Sequence, residues 1–586
     1  LKPLLVLDFA SIVGGSLNGV DPSSAITGFA LDNREVKPGD LFIAIKGERV
    51  DGHDFAAAAI AAGAVAVLAE QSVDSPHILV PNVVQALADY ALSIRNTFNG
   101  PVIGITGSAG KTTTKELIAA ALTPLGPVLK TEGNRNSEFT SPLLWAELEA
   151  YHKSVVVEMG MRGFGQVAHL ASFTKPTIGV ITNIGYSHIE IVGSREGIAR
   201  AKAELLESLT NSPSPIENQE VVTKSANNGT RTDSSPLPRG EVAEERSGRG
   251  SNNQDLKSSE NLFEIDSQES RNENSEGGQV PETDESDRTQ VKRDSLNANQ
   301  PKPLSSVREV ESFPIYAVQS DSRMPTEESG ELANREGGEK KNQTVSVLWA
   351  EGPYLDFLSK YSKVPVKTFG FSQSADCRIE SYKAIDWRNS EIEGSVNGQR
   401  FNATIPGVGR HFALNAAAAI LVATTVGVDP QKAAKALQKA QFPPMRMEII
   451  EHNGVTIVLD AYNASPASAI AAIETLEELP AKGRRIAILG EMRELGAYAE
   501  DNHRQVGAAL AHHGIDLAVL YGEKARWIGS AAQSNGMSPA ALKYVDSIEE
   551  ITIFLKSLKA GDVVLIKGSR ALEMERALDY LKEPAL

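Results

Sequence analysis

Short apolar runs alternate with stretches of helical spacing along most of this chain. Runs at 102–106, 154–158, 178–183, 345–348, 457–460, 486–489, 517–521 and 563–567 are rich in Val, Ile and Leu, with few polar interruptions. Such runs predict strands buried on both faces, paired in parallel and covered by the intervening helices. The expected fold class is therefore α/β. Consecutive prolines, Pro443 and Pro444, stop an Ala-rich helical pattern and mark one boundary. Another falls near residue 100, where a new strand and helix begin.

The alternation fails over 211–342, which is rich in Ser, Asn, Glu and Pro and has almost no aromatics. A segment of this kind buries too little apolar surface to offset its chain entropy, and disorder is expected. A helical pattern ending near Leu209 precedes it and a strand-like V-S-V-L beginning at Val345 follows it, so it reads as an insertion within a domain. At 586 residues the chain exceeds one core. Three domains are expected: 1–98, 99–442 carrying the insertion, and 443–586.

Composition narrows the possibilities. The single cysteine, Cys377, excludes a disulfide framework and a cysteine zinc site, and reads as a small half-buried hydrophobe. The net charge of −17 argues against nucleic acid, but 26 acidic and 16 basic residues of 211–342 supply much of it. The remaining charge says little about a substrate. The opening L-K-P-L-L-V-L-D-F-A lacks a small-residue cleavage site, and the apolar stretches 56–70 and 415–428 are too short to span a membrane. A soluble, cytoplasmic protein without a membrane span is expected.

Chemistry concentrates at 106–113, T-G-S-A-G-K-T-T, between a strand and a helix. Gly107 and Gly110 let backbone N–H groups approach phosphate oxygens, Lys111 reaches the terminal phosphates, and Thr112 can hold Mg2+. Thr106, Ser108, Ala109 and Thr113 complete the expected ATP loop. Ile105 stands where the common phosphate-loop spacing has its first glycine. The loop alone fits kinases, GTPases, motors and ligases alike. Glu158 ends the next buried run and His188 follows the one after it, so a carboxylate and an imidazole reach the carboxyl ends of strands beside the loop. Lys202, taken alone, reads as a solvated helix lysine.

The motifs T-G-S-A-G-K-T-T, V-V-E-M-G at 156–160, T-N-I-G-x-x-H at 182–188 and A-K-A-E at 201–204 together resemble the Mur ligase family. The resemblance implies an N-terminal UDP-sugar-binding α/β domain, a central P-loop ATPase domain with a mostly parallel sheet, and a Rossmann-like C-terminal domain. It implies two Mg2+ sites, Thr112 with Glu158 and His188 with a carbamylated Lys202, and adds Asn183 to the ATP contacts. Further motifs carry implied roles: Asn134 and Asn136 in G-N-R-N for substrate, and His411 and Asn415 in R-H-F-A-L-N near adenine. Asn33, Arg34, Lys46, Gly47, Asp51 and His53 are implied for the UDP sugar. Arg446 and Asp460 are implied for nucleotide, and Tyr462 and Asn463 for ATP or a dipeptide. L-D-A-Y-N-A-S-P at 459–466 and K-G-S-R at 567–570 resemble the branch that joins D-alanyl-D-alanine to UDP-N-acetylmuramoyl-tripeptide through an acyl phosphate. A sibling ligase adding a diamino acid and a non-catalytic nucleotide-binding scaffold are the alternatives, and a monomer is expected. The chain departs from the family pattern at Asn33, Ser137, Thr140, 349–353, Phe412 and Leu459.

Overall fold

The computed structural model describes residues 2–47, 49–210, 343–479 and 481–582. The expectation of disorder at 211–342 lies outside the described residues.

The described chain forms three main sheets, each flanked by helices. In the N-terminal sheet, Ser16–Asn18, His77–Leu79, Ala66–Ala69, Asp40–Ile43 and Gly28–Ala30 lie side by side, parallel except for the first pair. The central sheet runs from Gln399–Pro406 through Asn389–Val396, Cys377–Ala384, Val366–Gly370, Val345–Trp349, Ile178–Ile181, Val102–Thr106 and Ser154–Glu158 to Val128–Lys130. The C-terminal sheet is ordered Glu448–His452, Val455–Leu459, Val563–Lys567, Arg485–Gly490, Leu517–Tyr521, Leu542–Val545, and only its first pair is antiparallel. The fold is α/β with three domains, as the alternation predicts.

Every residue of Val102–Thr106 and Ser154–Glu158 is buried, which is why these strands read as unbroken apolar runs. The chain leaves Val102–Thr106, visits Ser154–Glu158 on one side and returns to Ile178–Ile181 on the other. A crevice therefore opens at the carboxyl end of the middle strand, the usual ligand position in such sheets. Helix Lys111–Leu122 is buried from Thr112 to Leu122, and helix Arg410–Thr425 packs with it in one core. The run of alanines in the second helix permits that close approach.

The mostly parallel central sheet is as expected; one extension of it goes beyond the expectation, and two readings are corrected. The central sheet carries an antiparallel extension, Cys377–Ala384, Asn389–Val396 and Gln399–Pro406, that the apolar runs do not reveal. Its polar-apolar alternation, and Asn397-Gly398 at φ 50° and 75°, are the marks of a two-residue hairpin. The strand expected at 178–183 ends at Ile181, because Thr182 and Asn183 turn away to bond the phosphate loop. Cys377 is fully buried, not half-buried, and burial pushes its thiol far above the ordinary range.

Candidate active site

Helix Lys111–Leu122 starts directly after a left-handed Gly110. The N–H groups of Lys111, Thr112 and Thr113 open the helix and have no acceptor within it. Gly107 has φ +156°, and a Cβ there would stand 1.9 Å from Thr182 Oγ1. Only glycine allows the loop to lie this close to the neighbouring strand end.

The loop is fastened from 182–187. Thr182 Oγ1 donates to the Ala109 carbonyl at 2.6 Å, and Asn183 clasps the same residue, accepting from its N–H at 3.0 Å and donating to its carbonyl at 3.1 Å. Ser108 N–H donates to the Asn183 carbonyl, and Ser108 Oγ accepts from Gly185 N–H at 2.8 Å. Asn183 thus holds the loop's shape rather than standing free for a nucleotide. Lys111 Nζ donates to the Gly107 carbonyl at 2.9 Å, folding over the loop. Burial holds the Lys111 amine below its ordinary range, with Glu158 opposing and Arg446 adding to the effect.

Glu158 ends its strand level with Ile105. Its Oε1 accepts from Asn136 Nδ2 at 2.8 Å and its N–H donates to Thr131 Oγ1 at 3.0 Å. Its Oε2 is buried without a hydrogen bond, the nearest cation being Lys115 Nζ at 3.8 Å. Asn134 is exposed on the same loop, which Lys115 anchors by donating to the Gly133 carbonyl at 3.0 Å.

Lys202 is no solvated lysine. It is 1% exposed on helix Arg195–Glu207, and no hydrogen bond or ion pair reaches it among the described residues. Burial, reinforced by the charge of Lys111, drives its amine well below the ordinary lysine range. Burial of this kind disfavours the ammonium relative to the free amine, the form that adds to CO2. His188 takes a left-handed φ of 64°, and its Nδ1 lies 2.8 Å from Glu494 Oε2. Among the described residues no three His, Cys, Asp or Glu side chains form a metal cage. The expected ligands instead combine Glu158 and His188 with a hydroxyl, Thr112, and the unpartnered amine of Lys202. The orphaned Glu158 oxygen suits a divalent cation bound by oxygen donors, and Lys202 would suit one only as a carbamate, which exchanges its nitrogen for oxygen donors.

From the other side, Asn415 faces the Gly110 turn, where an added Cβ would meet its Oδ1 at 3.1 Å. Burial pushes His411 down to about 4, against Asp460 and with Lys567, so its ring is neutral at neutral pH. Arg446 stacks 4.1 Å above the Tyr462 ring. Burial raises the Tyr462 phenol, and Arg446, Glu158 and Arg570 all act on it, which sets Tyr462 and Arg446 in the field of the loop and of Glu158. Asp460 and Asn463 are engaged within the C-terminal domain. Lys567 Nζ donates to Asp460 Oδ2 at 2.6 Å and to the Asn463 carbonyl at 2.9 Å, while Asn463 Oδ1 accepts from Ala464 N–H.

The N-terminal residues form a separate group. Asn33 and Arg34 lie in a turn capped by Asp32, which pairs with Arg34. Lys46 bridges to Asp51 around a tight turn closed by Gly47 N–H on the Val50 carbonyl. His53 is buried, its Nδ1 2.6 Å from Asp51 and its Nε2 accepting from Glu70 N–H, so both ring nitrogens serve the domain itself. Among the described residues no hydrogen bond or ion pair joins 33–53 to the phosphate loop.

Sequence reasoning gave no individual role to Lys115, Glu116, Thr131, Thr182, Glu494 and Lys567. Lys115 and Glu116 are charged residues inside a helix buried nearly all round, a signal that the missing amphipathic period would have given. Two departures from the family pattern answer each other: Ser137 Oγ and Thr140 Oγ1 lie 3.0 Å apart, and Thr140 Oγ1 also accepts from Ser137 N–H. Phe412 packs edge-on against Phe442 at 5.3 Å, and Leu459 is buried, so both serve the core.

Comparison with known proteins points to one family. The Mur ligase family catalytic domain matches residues 25–128, the Mur ligase middle domain 105–269, and the Mur ligase glutamate ligase domain 445–570. The UDP-N-acetylmuramoyl-tripeptide–D-alanyl-D-alanine ligase of Bacillus subtilis is 29% identical, with 99% of each chain covered. The Escherichia coli ligase of the same name is 27% identical, covering 98% of this chain and 97% of its own. Among solved structures, MurF of Acinetobacter baumannii superposes with a TM-score of 0.71 at 21% identity over 99% of both chains. MurF of Thermotoga maritima in complex with ADP gives 0.64 at 25% identity over 94% of this chain and 96% of its own. With three family domains matched in order along one chain and full-length relatives alike, the protein belongs to the Mur ligase family.

Proposed function

We propose that this chain is an ATP-dependent carboxylate–amine ligase that joins D-alanyl-D-alanine to UDP-N-acetylmuramoyl-tripeptide in peptidoglycan precursor synthesis. The observation that carries the reading is the set of buried groups around the phosphate loop. Glu158 has an oxygen without a partner, Lys202 is a buried amine without one, and Lys111 lies between their fields. End-to-end similarity to ligases of this name supports the substrates.

Peptide bonds do not form from carboxylate and ammonium at neutral pH without activation. A carboxylate oxygen of the tripeptide attacks the terminal phosphorus of ATP and ADP leaves. The amine of the dipeptide then attacks the acyl carbon, phosphate leaves with the bonding pair, and the nitrogen loses its proton. Lys111 and the open N–H groups of the helix start hold the phosphates. Thr112 and Glu158 would hold one Mg2+, and His188 and Lys202 the other, Lys202 having added to CO2 with loss of a proton to become a carbamate. Mg2+ neutralises the crowded phosphate oxygens when bound. Tyr462 and Arg446, from the C-terminal domain, wall the crevice against the water that would hydrolyse an acyl phosphate. In this reading 1–98 binds the UDP sugar, 99–442 binds ATP and 443–586 binds the dipeptide, in the cytoplasm. Among the described residues no helix is long and apolar enough to cross a membrane.

The test is ligation followed by mass spectrometry with ATP, Mg2+, the tripeptide precursor and D-alanyl-D-alanine. Product formation requiring all four is expected. Nucleotide binding without product would leave a scaffold, and a diamino acid accepted in place of the dipeptide would make the chain a sibling ligase.

A further inference from the structure

His188 and Glu494 are far apart in sequence, and each is a non-glycine residue in the left-handed region, at φ 64° and 63°. Such backbone is costly for residues with a Cβ and persists where the surroundings over-determine it. Here two loops press together. Tyr498 Oη donates to the Gly193 carbonyl at 3.4 Å, the rings of Tyr186 and Tyr498 are 6.1 Å apart, and a Cβ on Gly496 would meet Glu190 at 3.3 Å. At the centre of this contact, Glu494 Oε2 stands 2.8 Å from His188 Nδ1, off the ring N–H axis. The contact with His188 is the largest influence holding the Glu494 carboxyl below its ordinary range. His188 Nε2 makes no hydrogen bond among the described residues.

A metal-binding histidine characteristically gives its second ring N–H to a carboxylate, which fixes the tautomer and aims the other nitrogen. We propose that Glu494, carried by the C-terminal domain, is that carboxylate for His188, a positioning residue that makes seating of the C-terminal domain and completion of the metal site a single event. This rests on His188 being a metal ligand. Before the C-terminal domain seats, the imidazole keeps both tautomers and a free rotor. Once it seats, Nδ1 is held by Glu494 and Nε2 is presented to the cation.

The experiment titrates Mn2+ into the full chain with ADP present and reads free Mn2+ by electron paramagnetic resonance, beside the Mg2+ dependence of ligation. Glu494→Ala is expected to weaken one Mn2+ site by about 10–100-fold, the usual effect of removing such a partner. Glu494→Gln, whose amide oxygen still accepts, recovers part of the loss. Tyr498→Phe, which removes one 3.4 Å hydrogen bond of the same loop contact without touching His188, weakens Mn2+ binding far less than Glu494→Ala. Ligation by Glu494→Ala should need more Mg2+ yet approach the wild-type kcat at saturation. Unchanged Mn2+ binding in Glu494→Ala, or equal weakening in Tyr498→Phe, overturns the proposal. A His188→Ala variant that binds as much Mn2+ as wild type would instead overturn the metal-site reading beneath it.

Discussion

Replacing Lys115 by Met tests whether the site is organised by a buried charge that touches no substrate. Lys115 is fully buried, with its Nζ 3.0 Å from the Gly133 carbonyl, 3.2 Å from Glu116 and 3.8 Å from Glu158. Glu116 keeps Lys130 as a partner, so the loss falls on Glu158 and on the Gly133 carbonyl. Removing one member of a buried ion pair costs about 3–5 kcal/mol, because the remaining charge stays desolvated. For a domain of this size that lowers the unfolding midpoint by roughly 6–20 °C. Circular dichroism melts of the transition that includes the central domain, without nucleotide or metal, measure it. Adding Glu158→Gln to Lys115→Met should restore part of the stability, since it removes the stranded charge. An unchanged midpoint in Lys115→Met, or no recovery in the double variant, would refute this account of the cluster.

Lys202→Ala should abolish ligation, with short carboxylates restoring part of it by mass-spectrometric assay; full activity without additive would remove the carbamate from the mechanism. Gly107→Ala drives a Cβ into Thr182 in a backbone region reserved for glycine, and a strain of about 1–3 kcal/mol corresponds to roughly 5- to 150-fold weaker ATP binding by calorimetry. Tyr382 Oη donates to Glu478 and accepts from Gly409 N–H, both at 2.7 Å, so Tyr382→Phe should cost about 1–3 kcal/mol in denaturant unfolding. Burial raises the Asp562 carboxyl, but bonds from Arg484 and the Lys559 N–H outweigh it and bring it down to about 2, below the ordinary 3.8. The stabilisation is complete above pH 3.8 and is lost as pH falls towards 2, so Asp562→Asn should flatten the acid limb of the C-terminal domain's stability over that range.

The fold was legible where burial is two-sided. Val102–Thr106 and Val563–Lys567 show as apolar runs because helices cover both faces of their sheets. The strands at 377–406 escaped because each has an exposed face and alternates, so a search for continuous apolar runs passes over them. In the site, Lys111 and Glu158 are legible from local pattern, a turn before a helix and an acid ending a strand. Lys202 is not: by local pattern it reads as a solvated helix lysine, and only the resemblance carried by A-K-A-E singles it out. Glu494 is hidden: its partner is His188, and no local period connects them.

The hydroxyl pair of Ser137 and Thr140 bears on how drift in this family is counted. Scored position by position, the two residues are two defects in one motif. In the folded loop they are a single exchange, because each satisfies the other's polar atoms. Reverting Ser137 alone to Asn, or Thr140 alone to Gly, leaves a hydroxyl or an amide without its counterpart. The two positions are therefore expected to be coupled, and a double-mutant cycle on loop stability should come out non-additive.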